Sequence, residues 1–338
     1  MSLAASLRRH YGGILRPSAY HGPDPSSPGE IRRPFFEGWY CKLSTPEGPG
    51  CSIIVGAHLP DSTLEGAKEA HAFIMVLQPG RPEAIYIERP FEALRASRER
   101  LDVQLPGLSL TESGIRLELP EIEGEVSFDN LSHWPVSLAS PGVMGWYGWV
   151  PAMECYHGVV SMDHALHGTL KLEDTALRFD GGRGYLEKDW GRRFPSDWVW
   201  LQAHGLRSPH TSVFASVANV PWQHTSFPGV LCGLWHEGQL HRMCTYLGTR
   251  VERLERTEEA LTLTLVDHRH RMELRAFGGE ATQLWGPEPG GMTKVIHEHL
   301  GGQLELRWTE KRSGRILFEG TSRDAAFEAE GDLTRLGG

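Results

Sequence analysis

Apolar and polar residues alternate along most of this chain with the period of two that a half-buried β-strand requires. The alternation predicts strands over 36–43, 51–57, 71–78, 84–88, 115–119 and 124–128, with turn residues between them. A stretch punctuated by Pro135, Pro141, Gly142, Gly145 and Pro151 marks a long irregular crossing. Strands resume at 154–162 and 167–173, then at 176–180, 184–190, 198–204 and 211–218. Later ones fall at 230–235, 240–247, 261–267, 270–277, 292–299, 303–309 and 315–320. No long segment carries a convincing helical period. Ahead of the strands, residues 1–30 read as an arm. Leu3–Tyr11 suits a short helix, and Pro17, Pro23, Pro25 and Pro28 stop any regular element after it.

Many short strands joined by Gly-rich turns predict an all-β chain of barrels or sandwiches. At 338 residues it is long enough for two domains. The expected layout is the arm, a first β domain over 31–182 and a second over 183–338, packed side by side. PFFEGWYCK at 34–42 and FPSDWVWLQ at 194–202 each start a strand with Trp and a second aromatic after a Pro-containing turn. Two similar β halves would produce that repeat.

The charge balance, 34 Lys plus Arg against 43 Asp plus Glu, gives −9, and no basic patch recurs to suit nucleic acid. Eleven Trp is a high count and suits a cavity or groove lined with rings. The five cysteines, Cys41, Cys51, Cys155, Cys232 and Cys244, include no CxxC pair and fit buried thiols in a reducing compartment. The first ten residues lack the apolar core of a secretory signal, and no run is long enough to span a membrane. A cytoplasmic protein is expected, with peripheral membrane contact left open and the oligomeric state unread.

The densest chemistry lies in GYLEKDWGRRFPSDWVWLQAH, residues 184–204. On a strand, Tyr185, Glu187 and Asp189 share one face, and Leu186, Lys188 and Trp190 the other. Two neighbouring carboxylates shielded from water raise each other's proton affinity, which makes a general acid of one. Arg192 and Arg193 could instead neutralise them as structural pairs. Trp198, Trp200, Gln202 and His204 share a face and suit either a pocket wall or a Trp stack filling the core. In ECYHGVVSMD, Tyr156 shares a face with Glu154, while Cys155 and His157 share the opposite one. His157 suits a base or hydrogen-bond donor, or a satisfied core imidazole. Glu37 and Trp39 lie on one face of FFEGWYCK, and a carboxyl among rings calls for a cation such as Arg32 or Arg33. His268 with His270, and His297 with His299, are HxH pairs that would bind metal only by meeting in space. Neither HExxH, GxGxxG nor a P-loop occurs, so neither a metal nor a nucleotide cofactor is expected.

RRPFFEGWYCKL, AMECYHGVVSMDH and GYLEKDWGRRFPSDWVWLQAH resemble the tocopherol cyclase family over roughly residues 17–330. More distantly, the EKDWG segment looks like that of lipocalin-like carotenoid hydratases. The resemblance implies two lipocalin-like antiparallel domains and a hydrophobic substrate. It also implies closure of a phytyl-type quinol to a chromanol by alkene protonation and phenol attack. That chemistry requires no cofactor. On it, Glu187 is the expected acid, Asp189 its partner held ionised by Arg192, and His157 the acceptor of the phenol proton. Glu37, Trp39, Tyr156, Arg192, Trp198, Trp200, Gln202 and His204 would line an apolar cleft near the junction of the domains. Carriage of a prenyl lipid or pigment, and a hydratase or isomerase acting on another hydrophobe, remain the alternatives.

Overall fold

The computed structural model describes residues 11–27, 34–151, 153–222 and 225–337. Residues Leu3 to His10, expected as part of a helix, and Arg32 and Arg33, offered as partners of Glu37, lie outside the described residues. The chain is almost wholly β, as its alternation predicts, and antiparallel throughout its named ladders. It divides into two compact units. The first comprises Met1–Leu77, Ala84–Phe194 and Leu284–Val295, and the second Gln78–Glu83, Pro195–Gln283 and Ile296–Gly338.

In the first unit the strands are β1 (Phe35–Thr45), β2 (Gly48–Leu59), β3 (His71–Leu77), β4 (Ile85–Pro90), β5 (Arg95–Ala96) and β6 (Asp102–Leu105). They continue as β7 (Leu108–Thr111), β8 (Gly114–Glu118), β9 (Ile122–Asp129), β10 (Cys155–Leu172), β11 (Thr175–Arg178) and β12 (Gly182–Gly191). They pair in the order β4-β3-β2-β1-β12-β10-β9-β8-β7-β6-β5, with β11 on β10. One core holds side chains from both ends of that path, including Ile53, Val55 and Ile74 from one end and Leu108, Leu110 and Val126 from the other. The sheet therefore wraps around a single interior, but β4 and β5 do not pair and no closed barrel results.

The second unit carries β13 (Trp198–His204), β14 (Ser212–Trp222), β15 (Thr225–His236), β16 (Gln239–Arg242) and β17 (Arg250–Arg256). The second sheet continues with β18 (Ala260–Val266), β19 (His270–Phe277), β20 (Glu280–Glu288), β21 (Gly291–Glu310) and β22 (Ile316–Glu330), the stretch Leu284–Val295 of β20 and β21 belonging to the first unit. Their order is β16-β15-β14-β13-β22-β21-β19-β18-β17, with β20 on β21. A separate core of Val199, Leu201, Val213, Leu263, Leu274 and their neighbours fills this sheet. Both sheets repeat one connectivity. A four-strand meander is followed by a long excursion, and the last strand returns to pair with the first. The two Trp-rich strand starts, at β1 and β13, occupy the same place in that scheme.

The strand that returns in the first sheet is β12. It lies between β1 and β10, and the first unit runs on past it to Phe194. All five cysteines are free thiols. Among the described residues no helix is long and apolar enough to cross a membrane.

Candidate active site

Register brings the candidate residues together. On β12 the side chains of Tyr185, Glu187 and Asp189 alternate with those of Leu186, Lys188 and Trp190. β10 runs antiparallel beside it, with His157 opposite Asp189 and Val159 opposite Glu187. Directly paired residues share a face, so His157 joins the two carboxylates. Its Nδ1 stands 2.8 Å from Asp189 Oδ1 and its Nε2 3.3 Å from Glu187 Oε2. Tyr185 Oη donates to Glu187 Oε2 at 2.6 Å. The side chains of Glu187, His157 and Asp189 are 6%, 12% and 24% exposed, so the cluster opens to water at its Asp189 end.

These contacts set the charge state. Burial alone would discharge the imidazole, but Asp189 and Glu187 overcome it and lift the His157 pKa from 6.5 to about 10. His157 is therefore an imidazolium at neutral pH. A ring with both nitrogens protonated has no lone pair to offer, so the acceptor role expected of His157 opens only once the ring gives up a proton. The cation beside Asp189 is this imidazolium, while Arg193 pairs with Glu154 at 2.5 Å and Arg192 donates its backbone N–H to Glu154 O. Burial, then the charge on Glu187, keeps the Tyr185 phenol protonated well above its usual range. Cys155 Sγ lies 3.7 Å from Asp189 Oδ1. Burial and that carboxylate raise its pKa well above normal, which makes it a thiol donor and no nucleophile.

His157, Glu187 and Asp189 could each offer a metal-ligand atom, and these atoms lie within 4.8 Å of one another. Yet the two carboxylates address opposite nitrogens of one ring. A metal takes one imidazole nitrogen and draws all its ligands to a single point. The arrangement fits a shared proton better than an ion. The HxH pairs take other roles. His270 leans on Asp267 and on Trp308 while His268 sits in the preceding turn, and His299 stacks on Phe327.

The opposite face of β12, with β1 beside it, carries a second charge cluster, in the core. Glu37 and Lys188 are both fully buried, with Lys188 Nζ 2.6 Å from Glu37 Oε1. Glu37 also accepts the backbone N–H groups of His21, at 3.0 and 2.9 Å, and of Gly22, at 3.0 Å. Lys188 also donates to Ala19 O and to His21 Nδ1, and lies over the rings of Trp39 and Trp190. Burial lowers the Lys188 pKa to about 8 against the pull of Glu37. Burial would raise that of Glu37, but Lys188 and His21 hold it below its usual value. His21, lowered by burial and by Lys188, stays neutral. Its Nδ1 accepts from the ammonium, so its Nε2 carries the hydrogen and donates to Gly13 O at 3.2 Å. Trp39 Nε1 completes the attachment by donating to Ser18 O. The cluster thus fastens the N-terminal segment onto the first sheet.

Glu37, Trp39 and Tyr156, expected to line the cleft, lie on this other face and not on that of Glu187 and Asp189. The reason is strand alternation: Trp39 pairs with Lys188, and Tyr156 with Trp190, on which it stacks at 5.4 Å. The face shared with Glu187 carries Tyr40, directly opposite it, and Lys42, opposite Tyr185. Tyr40 Oη lies 2.8 Å from Ser52 Oγ. Trp198, Trp200, Gln202 and His204 belong to the second unit, buried on the face of β13 turned away from its core. There Trp198 Nε1 donates to Glu328 Oε2 at 2.7 Å and Gln202 Nε2 to Ser212 Oγ at 3.2 Å.

Residues 121–331, well over half of the chain, match the family model described as tocopherol cyclase-like. The chain belongs to this family. A probable chloroplastic tocopherol cyclase of Oryza sativa subsp. japonica is 24% identical over 206 residues, covering 58% of this chain and 44% of the relative. The chloroplastic tocopherol cyclase of Zea mays is 24% identical over 197 residues, covering 55% of this chain and 41% of its own. This tocopherol cyclase-like chain therefore spans less than half the length of either plant relative. Two crystal structures share its fold. CghA with Sch210972 aligns at a TM-score of 0.53 and 10% identity over 89% of each chain. CghA in a second structure aligns at 0.52 and 11% identity, over 91% of this chain and 90% of the other. His157, Glu187 and Asp189 lie inside the segment that matches the tocopherol cyclase-like model, whereas Glu37 and His21 lie before it.

Proposed function

We propose that the chain is a cyclase closing a prenylated phenol or quinol to a chromanol at the His157–Glu187–Asp189 cluster. The observation that carries the reading is an imidazole held between two shielded carboxyl groups within the family segment. Ring closure adds a phenol O–H across an alkene. The phenol oxygen forms the new C–O bond while its proton passes to Glu187 or Asp189. The adjacent alkene carbon takes a proton from His157. The proton then moves from the carboxylate back to the imidazole, over the 2.8 or 3.3 Å contact, and the cluster ends as it began. A His157 pKa of about 10 makes it a weak acid at rest. The carboxylates hold it there, so protonating one of them as the phenol ionises makes the imidazolium a stronger donor at the moment of need. Tyr185 keeps Glu187 oriented throughout. The same proton store would serve a hydratase, with water as the nucleophile.

Two experiments test the reading. Organic extraction of the purified protein, followed by mass spectrometry, is expected to yield a phenol or quinol bearing an isoprenoid tail, or its cyclised product. Glu187→Gln keeps the side chain's shape and is expected to lower turnover of that compound about 10²–10⁴-fold. Normal folding with unchanged turnover would remove Glu187 from the chemistry. Binding without any turnover in the native protein would leave carriage of the hydrophobe as its function.

A further inference from the structure

Among the described residues nine large apolar side chains are strongly exposed, and five of them, Tyr11, Leu15, Val136, Leu138 and Trp146, fall in two segments of the first unit. The two segments touch. Tyr11 stacks on Trp149 at 6.4 Å, and Trp149 Nε1 donates to Leu138 O at 2.9 Å. Trp146 stacks on Tyr147 at 3.9 Å. Leu138 is 75% and Trp146 47% exposed, so this is one contiguous apolar surface held outward by its own contacts. Its charge is equally unusual. No Asp, Glu, Lys or Arg occurs between Asp129 and Glu154. In the adjoining N-terminal segment Arg16 is exposed and no acidic residue precedes Asp24, although the chain as a whole carries −9.

We infer that this surface docks on an anionic lipid bilayer. Trp and Tyr rings, apolar in body and polar at one edge, suit the headgroup level of a membrane. An acidic protein is repelled by anionic lipid except through an acid-free, arginine-bearing flank such as this one. A protein partner of ordinary composition would call for charged rim residues around the rings, and the loop offers none over its whole length. The loop also reaches the candidate site, since Met144 Sδ accepts from His157 N–H at 3.3 Å. The docking does not depend on which reaction that site performs.

The test is flotation of the full chain with vesicles of phosphatidylcholine containing phosphatidylglycerol, and with vesicles of phosphatidylcholine alone. Binding to the anionic vesicles, weakened by salt, is expected. Leu138→Asn with Trp146→Ser should lower the partition coefficient by about tenfold or more, as loss of buried apolar area dictates. Arg16→Ala should lower it by roughly fivefold. Thermal melting verifies that both variants keep the wild-type fold. The inference is overturned if the wild type ignores anionic vesicles, or if the folded variants bind as well as it does. A concentration-dependent dimer that the Leu138/Trp146 variant dissolves, with no vesicle binding by the wild type, would assign the surface to a second copy instead.

Discussion

Replacing His157 by glutamine should change how stability depends on pH, in a direction the structure fixes. Burial opposes the imidazolium, but Asp189 at 2.8 Å and Glu187 at 3.3 Å raise its pKa from 6.5 to about 10. The folded state thus holds a proton that the unfolded chain releases. The resulting stabilisation is fully present below about pH 6.5 and is lost as pH rises through about 10. Each tenfold change in proton affinity is worth about 1.4 kcal/mol, which sets an upper bound of about 5 kcal/mol for the whole span. Asp189 is 24% exposed, so solvent screens part of this. Between about pH 8 and about pH 10, above the carboxyl range, the loss should be about 2 kcal/mol. Lys188 acts oppositely. Its folded pKa of about 8, lowered by burial, makes its own contribution grow as pH rises from there towards the ordinary lysine value. Urea unfolding of the wild type and of His157→Gln at both pH values removes that complication, because Lys188 is common to both proteins. The stability gap should shrink by about 2 kcal/mol on going to the higher pH. A gap independent of pH would show that the imidazole is not held protonated, and the proton store would fall with it.

Lys188→Met leaves the Glu37 carboxylate buried without its cation and should cost about 3–5 kcal/mol in urea unfolding, whereas Glu37→Gln with Lys188→Met should recover most of that. A single-variant cost below about 1 kcal/mol would contradict the pairing. Gly22→Ala places a Cβ 2.2 Å from Tyr20 Oη and 2.7 Å from Phe35 Cε1. Limited proteolysis should then cut within residues 11–27 far faster than in the wild type, with the sheets intact. Tyr185→Phe removes the donor to Glu187 Oε2 and should lower stability by about 1–2 kcal/mol, read by thermal melting.

The β architecture was legible because period-two alternation is a local signal, and it survives over strands such as β8, β19 and β21. The alternation of Tyr185, Glu187 and Asp189 was legible for the same reason. What joins them to His157 is the pairing of β10 with β12, a relation between strands that one sequence does not encode locally. Pairing also decides that Glu37 and Trp39 share a face with Lys188 and not with Glu187. The expected division near residue 182 was likewise drawn without the pairing of β12 with β1 and β10. Lys188 escaped notice for a different reason. Lysine is almost never fully buried unless paired, and its partners Glu37 and His21 lie far away in the chain. A lysine alternating with Leu186 and Trp190 on an otherwise apolar face was the available clue.

β12 serves two clusters with consecutive side chains, and this makes it a strand with a reading frame. Its odd-numbered residues from Tyr185 to Asp189 supply the proton-holding cluster, and Lys188, between two of them, anchors the N-terminal segment. Inserting or deleting one residue between Gly184 and Gly191 would turn every side chain beyond it to the opposite face. Lys188 would then meet His157, and a carboxylate would be forced into the core with no cation. Compensation by a second mutation is out of reach, since both neighbouring strands would have to slip in step. Length changes in this family are therefore expected in the turns flanking β11, at 173–174 and 179–181, and not within the EKDW segment. Point substitution can retune either cluster by itself, but any change of frame disables both together.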